Sequence, residues 1–270
     1  MVHFVYAPFA KNNDMNLHKD LNDRVALVTG GARRVGRMIA LSLADAGMNV
    51  CITYNESTAD ARKTIDELQS FGNRNHAVQV DMREADAVER IANKLTSHYG
   101  RLDALINNAS SFEPSPLASL SDQQFDDAML INARTPLELI RRLFPLLGAH
   151  YDPGDPESPG RIVNFIDTHI LGEPLKNYVA YNTSKAALAE ITATCAVELA
   201  PKVTVNAIAP GVVDWADWYS EQDKAKYLQR VPLGRSGRPE DAAKAVLFLV
   251  RDASYCTGQI IKLDGGRSLT

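Results

Sequence analysis

VALVTGGARRVGRMIALSLADAGMNVCIT, residues 25–53, decides the fold. It opens on an apolar run at 25–29, turns through glycines 30, 31 and 36, keeps a helical period from Val35 to Ala46, and closes on a second apolar run at 49–53. Apolar runs this short read as strands buried on both faces, and the periodic segment between them as a helix. The unit is therefore strand, glycine turn, helix, strand. Glycines in such a turn let backbone amides and the helix N-terminus approach a diphosphate. Arg33 and Arg34 sit in the same turn, where the helix dipole disfavours cations, and an anion of high charge would offset that cost.

The alternation continues outward from this unit. Further apolar runs lie at 76–80, 104–106, 161–166, 203–208 and 259–263, with helical periods at 58–71 and 84–98 among the segments between them. Near-continuous apolar strands separated by helices specify a parallel sheet covered on both faces. The expected fold is α/β: a single doubly wound, Rossmann-type domain with a seven-stranded parallel sheet. Ligands of such folds sit at the carboxyl ends of the strands.

Composition removes several function classes. The 270 residues are 45% hydrophobic and 23% charged, with 29 basic and 33 acidic side chains and a formal charge of −4. That balance carries no basic footprint for nucleic acid, and apolar runs such as 245–250 are far short of a membrane span. Cys51, Cys195 and Cys256 are widely spaced with no CxxC, which argues against a disulfide framework or a zinc site and for buried thiols in a reducing cytoplasm. No metal is expected. Residues 1–22 lack the layout of a signal peptide and read as an N-terminal extension, disordered or lying as an arm on another subunit. Residues 23–270 form the domain. The stretch AHYDPGDPESPGR, 149–161, reads as a surface loop.

The chemistry concentrates in RIVNFIDTHILGEPLKNYVAYNTSKAAL, residues 161–188. A strand delivers Asp167 just upstream of a helix carrying Tyr181 and Lys185, four apart and so on one face. An ammonium beside a phenol favours the phenolate, and Lys185 is expected to lower the pKa of Tyr181. A near-neutral phenol is a competent general acid.

TGGARRVG at 29–36, NNAS at 107–110, Asn132, YNTSK at 181–185 and PG at 210–211 occur in that order. Together they resemble the short-chain dehydrogenase/reductase family from about Arg24 to the C-terminus. The resemblance implies a nicotinamide dinucleotide cofactor, Tyr181 as proton donor, Lys185 on both the tyrosine and the nicotinamide ribose, and Asn132 holding a relay water. It implies cofactor contacts at Gly30, Arg33, Arg34, Val35, Gly36, Tyr54, Asn55, Ser57, Asp81, Met82, Asn108, Ala109, Ser110, Lys185 and Gly211. It also implies a homotetramer built through helices near 120–146 and 178–200, and a substrate loop at about 212–230, where Trp215, Trp218 and Tyr219 form a lid or anchor the loop.

Two departures from the common family pattern are informative. Arg34 stands where a glycine is usual, and Asp167 where most members have a serine. With NNASSFEPSPL at 107–117 and the ending DGGRSLT, they look like the pteridine reductase branch, which includes dihydromonapterin reductases. That branch implies Arg34 on cofactor phosphate and the pterin edge, Ser110 on both ligands, Phe112 stacked on the pterin, and Asp167 hydrogen-bonded to Tyr181. The chemistry agrees: a flat heteroaromatic stacks on a ring, and reducing its C=N bond needs a positioned acid.

The cofactor expected is NADPH. Tyr54 occupies the place of the acid that holds a ribose hydroxyl in NAD enzymes, and Arg33 suits a 2′-phosphate, with Glu56 as the contrary sign. Asp81 is expected on the adenine, as a helix cap for 83 onward, or as both. His169 reads as a rim residue. The expected activity is reduction of a dihydropterin, dihydromonapterin or dihydrofolate. The alternatives are a carbonyl reductase acting on a 3-oxoacyl thioester and a non-catalytic NADP(H)-sensing binding protein.

Overall fold

The computed structural model describes residues 21–215 and 219–270. The first twenty residues and Trp218 lie outside the described residues, and with them the expected arm and one of the expected lid aromatics. Leu21 is buried in the core.

Seven parallel strands form one sheet: β1 (Val25–Val28), β2 (Asn49–Tyr54), β3 (His76–Gln79), β4 (Ala104–Asn107), β5 (Gly160–Phe165), β6 (Val203–Pro210) and β7 (Ile260–Leu263), in the order β3-β2-β1-β4-β5-β6-β7. The chain moves outward from β1 to β3 and then returns to pair β4 with β1, Ala26 beside Ala104. This reversal opens a crevice at the carboxyl ends of β1 and β4, where such folds take their ligands.

Why the strands read as unbroken apolar runs is visible in their packing. Ala26 and Val28 face a layer with Ile39 and Leu43 of α1 (Arg34–Asp45) and Val246 of α8 (Pro239–Leu247). Val25 and Leu27 face the opposite layer, with Ile91 and Leu95 of α3 (Ala87–His98) and Leu139 and Leu143 of α5 (Thr135–Leu147). Each fully buried Leu or Ile contributes about 1.5–3 kcal/mol, so both faces need apolar residues. The remaining helices are α2 (Thr58–Gln69), α4 (Asp122–Met129), α6 (Val179–Glu198) and α7 (Glu221–Leu228).

Three local expectations are corrected. The loop before β5 ends at Pro159: Gly160 and Arg161 are strand residues and Arg161 is buried. Asn132 is not in a regular helix but in a π-helical turn, Leu130–Arg134, between α4 and α5, whose extra residue turns its side chain fully inward. Only Cys51 is buried among the three free thiols, and burial pushes its pKa up to about 12.

Candidate active site

A cavity of about 750 Å³ occupies the crevice at the sheet reversal, a volume typical of small-molecule sites. Gly30, Arg33, Arg34, Val35 and Gly36 form one wall. Tyr54 at the end of β2, Asn55 and Ser57 after it, Asp81 and Met82 after β3, Asn108, Ala109 and Ser110 after β4, and Gly211 after β6 line the rest. Every cofactor residue expected from the sequence except Lys185 is on this surface.

The turn after β1 is shaped by contacts that only glycine permits. A Cβ on Gly36 would lie 2.2 Å from the Gly30 carbonyl oxygen and 2.6 Å from Asn108 Nδ2. Asn108 Nδ2 donates to the Thr29 and Gly30 carbonyls at 2.9 and 3.2 Å, locking β4 to the turn. The N-terminus of α1 is thereby presented to the cavity, a cradle that fits a diphosphate.

Arg34 takes φ +54°, the left-handed region that its usual glycine counterpart adopts freely. For a side chain this conformation costs roughly 1–2 kcal/mol. Its guanidinium meets Asp214: Nε donates to Asp214 Oδ2 at 2.5 Å and Nη2 to the Asp214 carbonyl at 3.1 Å. Asp214, four residues beyond Pro210, lines the same cavity and was not among the sequence candidates. The available signal was an acid close behind the PG motif, opposite an extra arginine.

Arg33 is exposed and lines the cavity, and Glu56 lines it too. Asp81 does not cap a helix, because α3 starts only at Ala87. Its Oδ1 accepts from the Arg83 amide at 2.9 Å and its Oδ2 from Arg83 Nη2 at 2.6 Å, which holds the carboxyl below its ordinary range.

The catalytic candidates converge at the end of β5. Tyr181 Oη donates to Asp167 Oδ2 at 2.7 Å, while Asp167 Oδ1 accepts from the His169 amide at 2.8 Å. Tyr181, Ser184, Lys185 and Leu188 form the buried face of α6, which carries the phenol and the amine under the sheet's edge. Lys185 Nζ donates to the Phe165 carbonyl at 2.7 Å and stands 5.8 Å from the Tyr181 ring centroid.

These contacts reverse the expected electrostatics. Burial first, and then the Asp167 carboxylate, push Tyr181 well above the usual phenol range. An anion at hydrogen-bond distance disfavours the phenolate more than an ammonium turned towards a carbonyl favours it. Burial pulls Lys185 down to about 8, with Asp167 opposing. Tyr181 is therefore a firmly protonated donor at neutral pH.

The segment after β4 is clamped over this centre. Ser115 Oγ accepts from the Ala180 amide at 3.1 Å, and Phe112 stacks on Tyr178 at 4.6 Å while meeting Tyr181 edge-on at 4.7 Å. Tyr178 was not a sequence candidate. Asn132 Oδ1 accepts from Ser110 Oγ and the Ser111 amide, and its Nδ2 donates to the Ser111 carbonyl and Ser184 Oγ. Ser184 Oγ in turn donates to the Tyr181 carbonyl at 2.8 Å. The Asn132 side chain is thus a structural node that ties Ser110 on the cavity wall, through Ser184, to Tyr181. His169 Nδ1 sits 2.8 Å from the Glu173 carbonyl, inside its own loop.

In the substrate-loop region, Trp215 packs edge-on against Tyr219 and Tyr227, and Tyr227 Oη accepts from the Val212 amide at 3.0 Å. These described aromatics anchor the loop at its base.

Comparison with known proteins adds four likenesses. A family profile described as enoyl-(acyl carrier protein) reductase matches residues 30–268. The chain is 35% identical to the 3-oxoacyl-[acyl-carrier-protein] reductase FabG of Staphylococcus aureus, covering 89% of this chain and 96% of that one. It is 33% identical to the short-chain dehydrogenase/reductase FrzI of a Cladobotryum species, covering 93% and 98%. The crystal structure of a putative short-chain alcohol dehydrogenase from Sinorhizobium meliloti superimposes with a TM-score of 0.84 at 29% identity, covering 93% of this chain and 98% of that one.

Proposed function

Because the chain belongs to the short-chain dehydrogenase/reductase family, and so is an oxidoreductase of small molecules, we propose that it is an NADPH-dependent reductase of a pterin-type substrate: a dihydropterin, dihydromonapterin or dihydrofolate. The observation that carries this reading is the carboxylate of Asp167 at 2.7 Å from Tyr181 Oη. A bound nicotinamide cofactor supplies a hydride; the protein must supply a proton. Tyr181 holds that proton at Oη, and a phenol held so high yields it only to a strong base, such as a ring nitrogen taking up charge. A proton reaching Asp167 Oδ2 then passes along the same contact to restore Tyr181. Phe112, edge-on to Tyr181, offers a ring near the acid for a flat heterocycle, and Ser110 joins this region to the cavity.

NADPH is favoured by Arg33 on the cavity wall beside Tyr54, Asn55 and Ser57, with Glu56 opposing. Lys185, behind Tyr181, suits the ribose next to the nicotinamide. The exposed apolar side chains Leu137 on α5 and Val197 on α6 suit a homotetramer assembled through these helices. No helix of the described residues is long and apolar enough to cross a membrane, in keeping with a cytoplasmic placement.

A second reading, reduction of a 3-oxoacyl thioester, is favoured by the names of the FabG relative and of the matching profile. Those names favour it over the pterin reading. Identity summed over a whole chain reports mainly the sheet and cofactor half, whereas Asp167, Phe112 and Arg34 are few and local. The test is loss of NADPH absorbance with dihydropterin, dihydrofolate and 3-oxoacyl thioester in parallel. Turnover of the thioester alone would sink the pterin reading, and NADPH binding without any turnover would leave a sensing protein.

Phe112→Ala is expected to raise the pterin KM roughly 3- to 10-fold, the worth of one aromatic stack, with NADPH affinity unchanged in a fluorescence titration. An unchanged KM would remove Phe112 from the substrate site. Asp214→Asn is expected to tighten NADPH binding by up to about 5-fold, since it frees Arg34 for phosphate and removes a like charge from the mouth. Weaker binding in that variant would mean that Asp214 serves the cofactor.

A further inference from the structure

Asp264, half-buried directly after β7, is the centre of a small hydrogen-bonded node that the reaction chemistry above does not use. Thr168, 2% exposed, donates from Oγ1 to Asp264 Oδ2 at 2.8 Å. The same oxygen accepts from the Ser268 amide at 2.9 Å, and Oδ1 accepts from the Gly266 amide at 3.0 Å. Burial would raise this carboxyl, but the donors from Ser268, Thr168 and Gly266 outweigh it and keep the group below its ordinary range. It is therefore a fixed anion, and 96 residues along the chain separate it from the threonine that it holds.

Thr168 immediately follows Asp167, whose backbone is extended at φ −147° and ψ 144°. A carboxylate at a strand end has two soft backbone angles with which to swing. The His169 amide on Oδ1 limits its rotation, but that amide belongs to the same turn and moves with it. Thr168 ties this turn by a side-chain hydrogen bond to the segment after β7, while Ile170 and Leu171 pack against the cluster around Leu188. Asp264 also packs under the cavity wall: a Cβ on Gly211 would lie 3.1 Å from Asp264 Cβ, and the Gly211 amide donates to the Leu263 carbonyl at 3.0 Å.

We propose that Thr168 and Asp264 are positioning residues for the acid site, holding Asp167 at hydrogen-bond distance from Tyr181 and in register with the Gly211 wall of the cavity. The proposal rests on Tyr181 being the proton donor. Misplacement of a reacting group by about an ångström costs up to roughly 100-fold in rate, so loss of this anchor acts on kcat without touching substrate or cofactor.

Thr168→Val keeps the shape and deletes the donor. The expected result is a kcat about 10-fold lower, an NADPH dissociation constant within about 2-fold of the parent, and recovery of most of the rate in Thr168→Ser. The pH profile separates positioning from general loosening. The groups facing Tyr181 are Asp167 just after β5, Tyr178 just before α6, Lys185 on α6, and Tyr219 from the substrate loop. With Asp167 displaced, less negative charge opposes the phenolate, and the high-pH limb of kcat moves to lower pH. A reduced kcat with that limb unmoved, a serine variant as impaired as valine, or a parental rate in Thr168→Val overturns the proposal. Asp264→Asn is measured beside it in case the valine variant does not fold, and an unmoved limb there counts equally against it. Tyr181→Phe is run in the same series: a Phe variant at the parental rate defeats the acid reading itself, whereas loss there with a parental Thr168→Val defeats only the positioning pair.

Discussion

Tyr181→Phe is expected to lower kcat by about 10²- to 10⁴-fold, the usual worth of a positioned general acid, while NADPH binds as before. The ring of Tyr181 is 7% exposed and packs edge-on against Phe112, so phenylalanine keeps the volume and the aromatic contact. What it removes is the proton at Oη and the 2.7 Å contact to Asp167. The carboxylate is left without that donor, which costs about 1–3 kcal/mol if the group stays dry. Asp167 is only half-buried, and water reduces this cost, so the variant should fold. Single-turnover measurement with a saturating dihydropterin separates the chemical step from binding. A rate within a few-fold of the parent would mean that the proton comes from elsewhere.

The second large effect is expected from Gly36→Ala. The new methyl would need to sit 2.2 Å from the Gly30 carbonyl oxygen, a backbone atom that cannot turn aside as a side chain can. Either the turn moves by about an ångström or the helix start does; overpacking of this kind costs about 1–3 kcal/mol. Both movements disturb the Asn108 contacts that join the turn to β4. NADPH affinity should fall by about 100-fold or more, since the diphosphate depends on aligned amides of the turn, and the thermal midpoint should drop by a few degrees. Parental affinity in this variant would show that the turn is not the phosphate cradle.

The sheet was legible because each strand is buried on both faces and so writes an uninterrupted apolar run; the observed strand bounds differ from those runs by one or two residues. The cavity wall was legible for a related reason. Close backbone approach admits only glycine at 36, and the residues after each strand are carried to the crevice by the sheet itself. The family followed from the same residues. The preferred substrate did not follow from the family: the relatives' names point to a 3-oxoacyl thioester, and the case for a pterin stands on Asp167, Phe112 and Arg34.

Side-chain direction was not legible. Spacing puts Tyr181 and Lys185 on one face of a helix, but it does not reveal that the amine turns to the Phe165 carbonyl and leaves the phenol to Asp167. The pKa of Tyr181 was accordingly expected on the wrong side of its ordinary value. Nor does any spacing reveal that Asp214, 180 residues further on, meets the Arg34 guanidinium, or that the Asn132 amide joins Ser110, Ser111 and Ser184.

By itself the sequence determined the doubly wound sheet and the glycine turn after β1, because burial on two faces and steric exclusion of side chains act on residue type and local spacing. Only the tertiary structure decided which polar groups meet, and hence that burial and the Asp167 carboxylate hold the Tyr181 phenol well above its ordinary range. Hydrogen bonds and desolvation act over distances of a few ångströms between groups that the chain brings together from far apart, and no local spacing encodes that meeting.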